Sequence, residues 1–197
     1  MKFLLFVAII ASFAIGCKQE NIIQDKQQSI QSDSIVINTK DSIDNDIALQ
    51  KAPDFKLVDI NGSTKSLADF KGKLIYLDIW ATWCRPCIMQ IPAMKKLETK
   101  YADKGIEFLS ISVDPDKDKE KWKETILTKN MSGTHLFAGT ESSFGYDYKV
   151  EFVPKFLIIS ADGNILMENA PQAMDMMTGD VNAEIEAIFD LYIKSNQ

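Results

Sequence analysis

The sequence predicts an α/β fold in which a mixed β-sheet is flanked by helices on both faces. Residues 74–80 are almost continuously apolar, which is typical of a strand buried on both sides of a sheet. Strand and helix patterns then follow in the order βαβα and ββα, which indicates a right-handed parallel unit joined to an antiparallel hairpin. The chain has 197 residues, of which 46% are hydrophobic and 25% charged. This composition excludes collagen-like, wholly disordered and polytopic membrane proteins.

The charge balance argues against a nucleic-acid partner. Twenty-two basic residues stand against 28 acidic ones, for a formal net charge of −6. Binding to phosphates requires clustered Lys and Arg, and no such cluster overrides this total. The mixed run 114–121 nearly neutralises itself, and we expect it to cap and solvate a helix.

The N-terminus has the pattern of a secretory signal peptide over residues 1–16. Lys2 precedes the run 3–15, which is apolar except for Ser12. A helix of that length spans only ~20 Å, whereas the hydrocarbon core of a membrane is ~30 Å thick. We therefore expect a cleaved signal rather than a transmembrane helix.

Residues 14–17, Ala-Ile-Gly-Cys, resemble the bacterial lipobox, although Ala14 stands where a larger aliphatic residue is typical. The resemblance implies cleavage before Cys17 and lipidation of that cysteine, and hence a membrane-anchored lipoprotein of the bacterial cell envelope. Several acyl chains anchor a protein stably where one does not. The alternative is an ordinary signal peptide that happens to contain a cysteine.

Residues 17–50 are predicted to be a polar tether, and residues 51–197 the folded domain. The segment 18–50 has no Gly, Pro or aromatic residue and cannot build a core of its own. Its isoleucines leave one alternative open, since residues 34–38 could add an edge strand to the domain.

The domain begins with a predicted β-hairpin, residues 55–59 and 63–67 around Asn61-Gly62. Ser66 or Asp69 is expected to cap a short turn. A helix follows strand 74–80 and extends from residue 86 to about 104, with Pro92 expected to kink or break it. The remaining elements are predicted as strand 106–113, helix 117–130, strand 134–138, helix 142–148, strands 155–160 and 164–168, and helix 182–194.

The motif that carries chemistry is Cys84-Arg85-Pro86-Cys87, placed between a buried strand and a helix. The unpaired N–H groups and the positive end of the helix dipole stabilise a thiolate on the first cysteine. Cys84 is therefore the predicted nucleophile and Cys87 the more buried, resolving thiol. Arg85 adds a positive charge that should lower the pKa of Cys84 further, and Pro86 suits the first helical turn.

Together these residues resemble the thioredoxin superfamily, and specifically its secreted TlpA/ResA-like branch. The resemblance covers residues 52–197 and includes the N-terminal hairpin, the 80–87 motif, Pro92, Val153-Pro154 and the C-terminal hairpin and helix. It implies a thioredoxin-like three-layer sandwich with an added N-terminal β-hairpin. It also implies a thiol-disulfide oxidoreductase that requires no cofactor and no metal.

The resemblance assigns further residues to the site. Val153-Pro154 matches the family's cis-proline loop, so Pro154 and Val153 are expected to shape substrate docking. Next to Cys84, Trp83 is expected to offer substrate an apolar contact, and Arg85 is predicted to be a second substrate-binding residue. Gln90 stands where many members that serve cytochrome c maturation carry a glutamate, which puts that particular substrate in doubt.

Asp78 lies on the otherwise apolar strand, six residues before Cys84. Burial of a carboxylate raises its pKa, which makes Asp78 a candidate proton acceptor for Cys87. The alternative is an aspartate that is merely hydrogen-bonded at the end of a strand.

The implied partners are disulfide-containing proteins outside the cytoplasm and a membrane thiol electron donor of the DsbD or CcdA kind. A zinc site would need two ligands beyond Cys84 and Cys87, and His135 is interpreted as an ordinary surface or strand-end residue. A peroxiredoxin would carry Pro and Thr where Leu77 and Ala81 stand. A non-enzymatic lipoprotein that binds a partner through this domain remains the alternative from a different class.

Overall fold

A seven-stranded mixed sheet forms the centre of the computed structural model, which describes residues 49–196. The expected signal peptide, Cys17, the possible edge strand 34–38 and the tether up to residue 48 lie outside the described residues. The strands are β1 Lys56–Asp59, β2 Thr64–Ser66, β3 Leu74–Trp80, β4 Ile106–Ser112, β5 Thr134–Phe137, β6 Lys155–Ile159 and β7 Ile165–Met167. The helices are α1 Arg85–Lys100, α2 Lys119–Thr128, α3 Phe144–Asp147 and α4 Ala183–Ser195.

The strand order is β2-β1-β5-β4-β3-β6-β7. β3, β4 and β5 are parallel, as expected for strands joined by helical crossovers. β6 and β7 continue the sheet antiparallel on one side, and the N-terminal hairpin joins it antiparallel to β5 on the other. The predicted α/β class, mixed sheet and added hairpin are therefore confirmed.

Strand β3 separates two layers of the core, and all seven of its residues are buried. Its side chains Ile75, Leu77 and Ile79 pack with the N-terminal hairpin and α3. Tyr76, on the opposite face, packs beneath α1 and α4, where its ring meets Phe189 edge-on at 5.3 Å between centroids. Burial on both faces explains the continuous apolar pattern of this strand.

Most predicted elements lie within two or three residues of their predicted ends, and two differ in detail. Helix α1 is not broken at Pro92 but continues through it to Lys100. The predicted helix 117–130 is a 3₁₀ turn over Asp116–Asp118 followed by α2. The expected cap is present as a reciprocal capping box between Ser66 and Asp69.

Backbone pairing of the domain extends to Gln50, whose carbonyl oxygen accepts a hydrogen bond from the Ile165 N–H at 2.8 Å. Lys51 forms an antiparallel bridge with Asn164. Within residues 49–196, no helix has both the length and the apolar character needed to cross a membrane.

Candidate active site

A disulfide joins Cys84 and Cys87 at the junction of β3 and α1. Cys84 is the N-cap of α1, and its Sγ accepts a hydrogen bond from the Cys87 N–H at 3.2 Å. Pro86 lies in the first turn, as predicted, where its missing N–H leaves no bond unmade. The sulfur of Cys84 thus lies at the positive end of the helix dipole, where a thiolate is stabilised.

Both cysteines are buried in this oxidised form, with Cys84 4% and Cys87 3% exposed. They pack in a cluster with Trp80 and Trp122. Residue exposure therefore does not distinguish nucleophile from resolving thiol in the disulfide state. Their assignment rests on position, because Cys84 occupies the cap and Cys87 lies within the first helical turn.

Exposed side chains border the disulfide. Trp83, immediately before Cys84, is 60% exposed, and Arg85 is exposed as well. The Val153–Pro154 peptide bond is cis, as the resemblance implies. Val153 is partly buried and packs against the cluster that contains both cysteines, while Phe152 is 66% exposed. The structure thus brings Trp83, Arg85 and the cis-proline loop to the disulfide.

Asp114 holds the loop that leads into Cys84, a role that the sequence analysis missed. The residue is fully buried rather than part of a solvated charge run. Its carboxylate accepts hydrogen bonds from the Thr82 N–H at 3.0 Å, the Thr82 hydroxyl at 2.7 Å and the Ser112 hydroxyl at 2.7 Å. The available signal was its position just after β4, because parallel strands β3 and β4 end at the same edge of the sheet.

Lys155, also missed, fixes the other side of the site. It follows Pro154 directly and is only 7% exposed. Its ammonium donates to the carbonyl oxygens of Tyr148 at 2.9 Å and Lys149 at 3.0 Å. A buried charge needs such partners, and these tie the start of β6 to the end of α3.

Gln90 is 1% exposed and joins α1 to the loop before α4. Its amide nitrogen donates to the Gln172 side-chain oxygen at 2.8 Å, and its oxygen accepts from the Met174 N–H at 2.8 Å. An amide both donates and accepts, whereas an ionised glutamate only accepts. Gln90, which stands where many members that serve cytochrome c maturation carry a glutamate, therefore uses both ends of its amide to hold this loop.

Asp78 is buried in the sheet, two residues before Trp80 and on the same face of β3. The Ser110 hydroxyl donates to its Oδ2 at a long 3.5 Å, and Oδ1 has no partner among the described residues. Loss of water around the carboxylate raises its pKa to about 7. The position in the middle of β3 contradicts the alternative of an aspartate at the end of a strand.

His135 lies next to the start of β5, which agrees with the strand-end alternative, and only the surface alternative is wrong. It is 7% exposed, in β5, and is not a surface residue. Burial lowers the pKa of its imidazole, and the backbone of Ser132 and Met131 opposes this shift. In the part of the chain that the structure describes, no group of three or more His, Cys, Asp or Glu side chains is placed to hold a metal ion.

The fold and the site define a class: a mixed sheet with a Cys-x-x-Cys disulfide at the start of the helix after its central strand, beside a cis-proline, is the thioredoxin-like arrangement. The chain belongs to the AhpC/TSA family, whose sequence model matches residues 48–167.

Relatives and solved structures agree with this class. The chain is 54% identical to the thioredoxin-like protein YneN of Bacillus subtilis over 116 residues, 59% of this chain and 67% of YneN. It is 42% identical to the thiol-disulfide oxidoreductase ResA of Bacillus thuringiensis over 65 residues, 33% of this chain and 38% of ResA. The chain therefore matches less than half the length of that ResA.

A crystal structure from Bacteroides vulgatus, of a protein described as a candidate thiol-disulfide oxidoreductase, superposes with a TM-score of 0.62. The two are 34% identical, and the superposition covers 72% of this chain and 93% of the other. The family, the thioredoxin-like fold and the enzyme class predicted from the sequence are thereby confirmed.

We expect Asp78→Asn to stabilise the protein at pH 8. The pKa of Asp78 is about 7 in the folded protein and ordinarily 3.8, so between these values the folded state holds a proton that the unfolded chain has lost. Stability from this carboxyl is fully present below pH ~4, declines as the pH rises to ~7 and is constant above. The gain should be on the order of a few kcal/mol, measured by urea unfolding at pH 5 and pH 8.

Asp162→Asn makes the same chemical change at an exposed turn and serves as the control. The quantity compared is the difference between variant and parent at each pH, which removes contributions from other titrating groups. A difference for Asp78→Asn that does not grow between pH 5 and pH 8 would contradict the raised pKa.

Proposed function

We propose that this protein is an extracytoplasmic, lipid-anchored thiol-disulfide oxidoreductase that reduces disulfides of other proteins. The observation that carries the proposal is the Cys84–Cys87 disulfide at the N-terminus of α1. Exposed Trp83 lies next to Cys84 in the chain, and Val153 packs against the cluster that contains both cysteines.

In the reduced protein, the Cys84 thiolate attacks one sulfur of the substrate disulfide. A bond forms between Cys84 and that sulfur, the substrate's own S–S bond breaks, and its other sulfur leaves as a thiolate. Cys87 then attacks the Cys84 sulfur, which restores the internal disulfide and releases the second substrate sulfur. Two electrons pass from the dithiol to the substrate, which takes up two protons and leaves as two thiols.

Cys87 must lose a proton before it attacks, and we assign its acceptance to Asp78. A carboxyl with a pKa of about 7 can take up and release a proton near neutral pH. Ile91, one helical turn (~5.4 Å) beyond Cys87 on α1, lines the same small cavity as Asp78. The carboxyl thus lies beneath the helix that carries the resolving thiol.

Substrate contacts are assigned to residues around the disulfide. The exposed ring of Trp83 offers an apolar surface, and Arg85 adds a positive charge beside Cys84. Val153 packs against the cysteine cluster, and we assign the backbone of Val153 and Pro154 to contact with an incoming chain.

Repeated reduction in an oxidising compartment requires an electron source. We propose a membrane thiol carrier of the DsbD or CcdA kind, which would reduce the Cys84–Cys87 disulfide by the same exchange in reverse. The lipid on Cys17 would keep the protein at the membrane where such a donor resides.

Replacing Cys87 by Ser should trap the first intermediate. Cys84 can still attack, but no neighbouring thiol releases the product, so Cys87→Ser is expected to accumulate mixed disulfides with envelope proteins. Cys84→Ser, the matched control, keeps one thiol but lacks the nucleophile and should trap few or none. Non-reducing gels followed by mass spectrometry of the adducts measure the difference.

The same variants separate the enzyme from a non-enzymatic binding lipoprotein. If the double variant Cys84→Ser/Cys87→Ser keeps full cellular function, or if both single variants trap adducts equally, the proposed reaction is wrong.

The direction of exchange depends on the reduction potential of the Cys84–Cys87 couple. We expect a value near −270 mV, the reducing end of the ~150 mV range spanned by thioredoxin-like proteins. Equilibration with glutathione or dithiothreitol buffers, read by thiol labelling, measures it. A value near −120 mV would make the protein an oxidant and reverse the proposed direction.

Replacing Cys17 by Ser tests the anchor. The variant should no longer incorporate a labelled fatty acid, because no residue remains to carry the lipid. Equal labelling of parent and variant, in a variant whose Cys84–Cys87 disulfide still forms, would refute lipidation of Cys17 without affecting the redox proposal.

A further inference from the structure

Three polar side chains form a row beneath α1. Asp78 on β3 is the register partner of Ser110 on β4, which is in turn the partner of His135 on β5. Register partners on neighbouring strands project from the same face of a sheet. The row therefore crosses three strands within an otherwise apolar layer.

Three polar atoms of this row are left without well-made hydrogen bonds. Asp78 Oδ1 and both ring nitrogens of His135 are buried and form no well-made hydrogen bond among the described residues. Such groups are normally paired with protein atoms or ordered water, because burying them unpaired costs free energy. Three unpaired atoms in one row point to a solvent molecule between them.

A small cavity lies where these atoms meet, and we call it the α1 chamber. Its polar lining consists of Asp78, Ser110, His135, Lys95, Glu98 and Ser132. The space left for the centre of a water molecule is about 10 Å³, which is close to what one buried water requires. Donors and acceptors on several sides give that water the partners it needs.

Glu98 forms the outer wall of the α1 chamber. It is half-buried on α1, and the hydroxyl of exposed Ser132 donates to its carboxylate. Burial raises the pKa of Glu98, with the Ser132 bond and Lys95 opposing. Its carboxylate therefore adjoins the chamber on one side and the exposed segment around Ser132 on the other.

The groups around Asp78 come from every element that packs against it. Its own strand adds the buried Tyr76, β4 adds Ser110, β5 adds His135, α1 adds Lys95 and Glu98, and β6 adds only the apolar Phe156. Glu98 is the half-buried acid of this set, and its negative charge contributes to the raised pKa of Asp78.

We propose that the α1 chamber binds one water molecule and that this water and Glu98 form the path by which the proton of Asp78 reaches solvent. The Asp78 carboxyl donates to the water, the water passes a proton to the Glu98 carboxylate, and Glu98 releases it to bulk solvent. Neutral His135 accepts a hydrogen bond from the water and positions it. The proton is relayed unit by unit, and no electrons move.

The role of this path in catalysis rests on the proposed function, in which Asp78 accepts the proton of Cys87. A proton taken from Cys87 must leave Asp78 before the next turnover, and Asp78 itself is buried at the α1 chamber. The same path would run inward when a donor reduces the disulfide. Proton exchange itself, however, can be followed in the resting oxidised protein without any turnover.

The test is hydrogen–deuterium exchange of the Asp78 carboxyl proton in the oxidised full-length protein, by infrared spectroscopy after dilution into D₂O at pH 6. The protonated carboxyl band is assigned by its loss in Asp78→Asn. In Glu98→Gln, which keeps the side-chain shape and an acceptor for Ser132, exchange should slow about tenfold. That is less than the ~10²–10⁴-fold of a direct general acid or base, because water can partly replace a relay group.

Glu124→Gln, an exposed site on α2 with the same change of charge, is the matched control and should exchange like the parent. Glu98→Asp keeps a carboxylate and should recover part of the rate, which a purely structural role would not explain. Exchange in Glu98→Gln at the parent rate, or a dry chamber in a high-resolution crystal structure, would overturn the proposal. Mixed-disulfide trapping by Cys87→Ser is unaffected by either outcome, so failure of the path and failure of the proposed function are distinguishable.

Discussion

A helix that starts directly at the end of a buried strand leaves its first N–H groups without partners in the helix, and the group placed at its cap receives them. In this protein that group is the sulfur of Cys84. The position is enforced by β3, which is buried on both faces and cannot shift along its neighbours without exposing apolar side chains. The rest of the site depends on this junction, because Trp83 and Arg85 adjoin Cys84 in the chain and Val153 packs against the same cluster.

Two buried charged residues hold the loops on either side of that sulfur. Asp114 binds the backbone and hydroxyl of Thr82, and Lys155 binds carbonyl groups at the end of α3. Hydrogen bonds to charged groups are stronger than neutral ones, and they replace contacts that a loop cannot make with its own backbone. With apolar residues at these two positions, the Thr82 N–H and the Tyr148 carbonyl would lose these hydrogen bonds. Hydrogen bonds to charged side chains therefore fix the two loops, whereas apolar packing fixes the helices.

Local pattern was sufficient to predict the elements that bear the chemistry. Strand 74–80, the helix that begins at the cysteine motif and the C-terminal helix all follow from periodicity and caps, since these signals lie within a few residues of each other. The pairing of the N-terminal hairpin with β5 could not be predicted, because neither segment's own sequence carries a signal for its pairing with a distant strand. The burial of Asp114 and His135 was missed for the same reason: their surroundings come from other parts of the chain.

The buried carboxyl of Asp78 lowers the stability of the fold at neutral and alkaline pH. A carboxyl whose pKa is raised by burial weakens the folded state above pH ~7 relative to a neutral residue of the same shape. Asn at position 78 would fill the same space and hydrogen-bond to Ser110 without that penalty. Stability of the fold therefore does not explain why an aspartate occupies this apolar layer. The proposed proton transfer from Cys87 does explain it, because a proton acceptor beneath the helix of the resolving thiol must change its charge near neutral pH. On this argument the unpaired atoms of His135 and the half-buried Glu98 serve the same proton transfer, because a proton that enters a buried carboxyl must also be released to solvent.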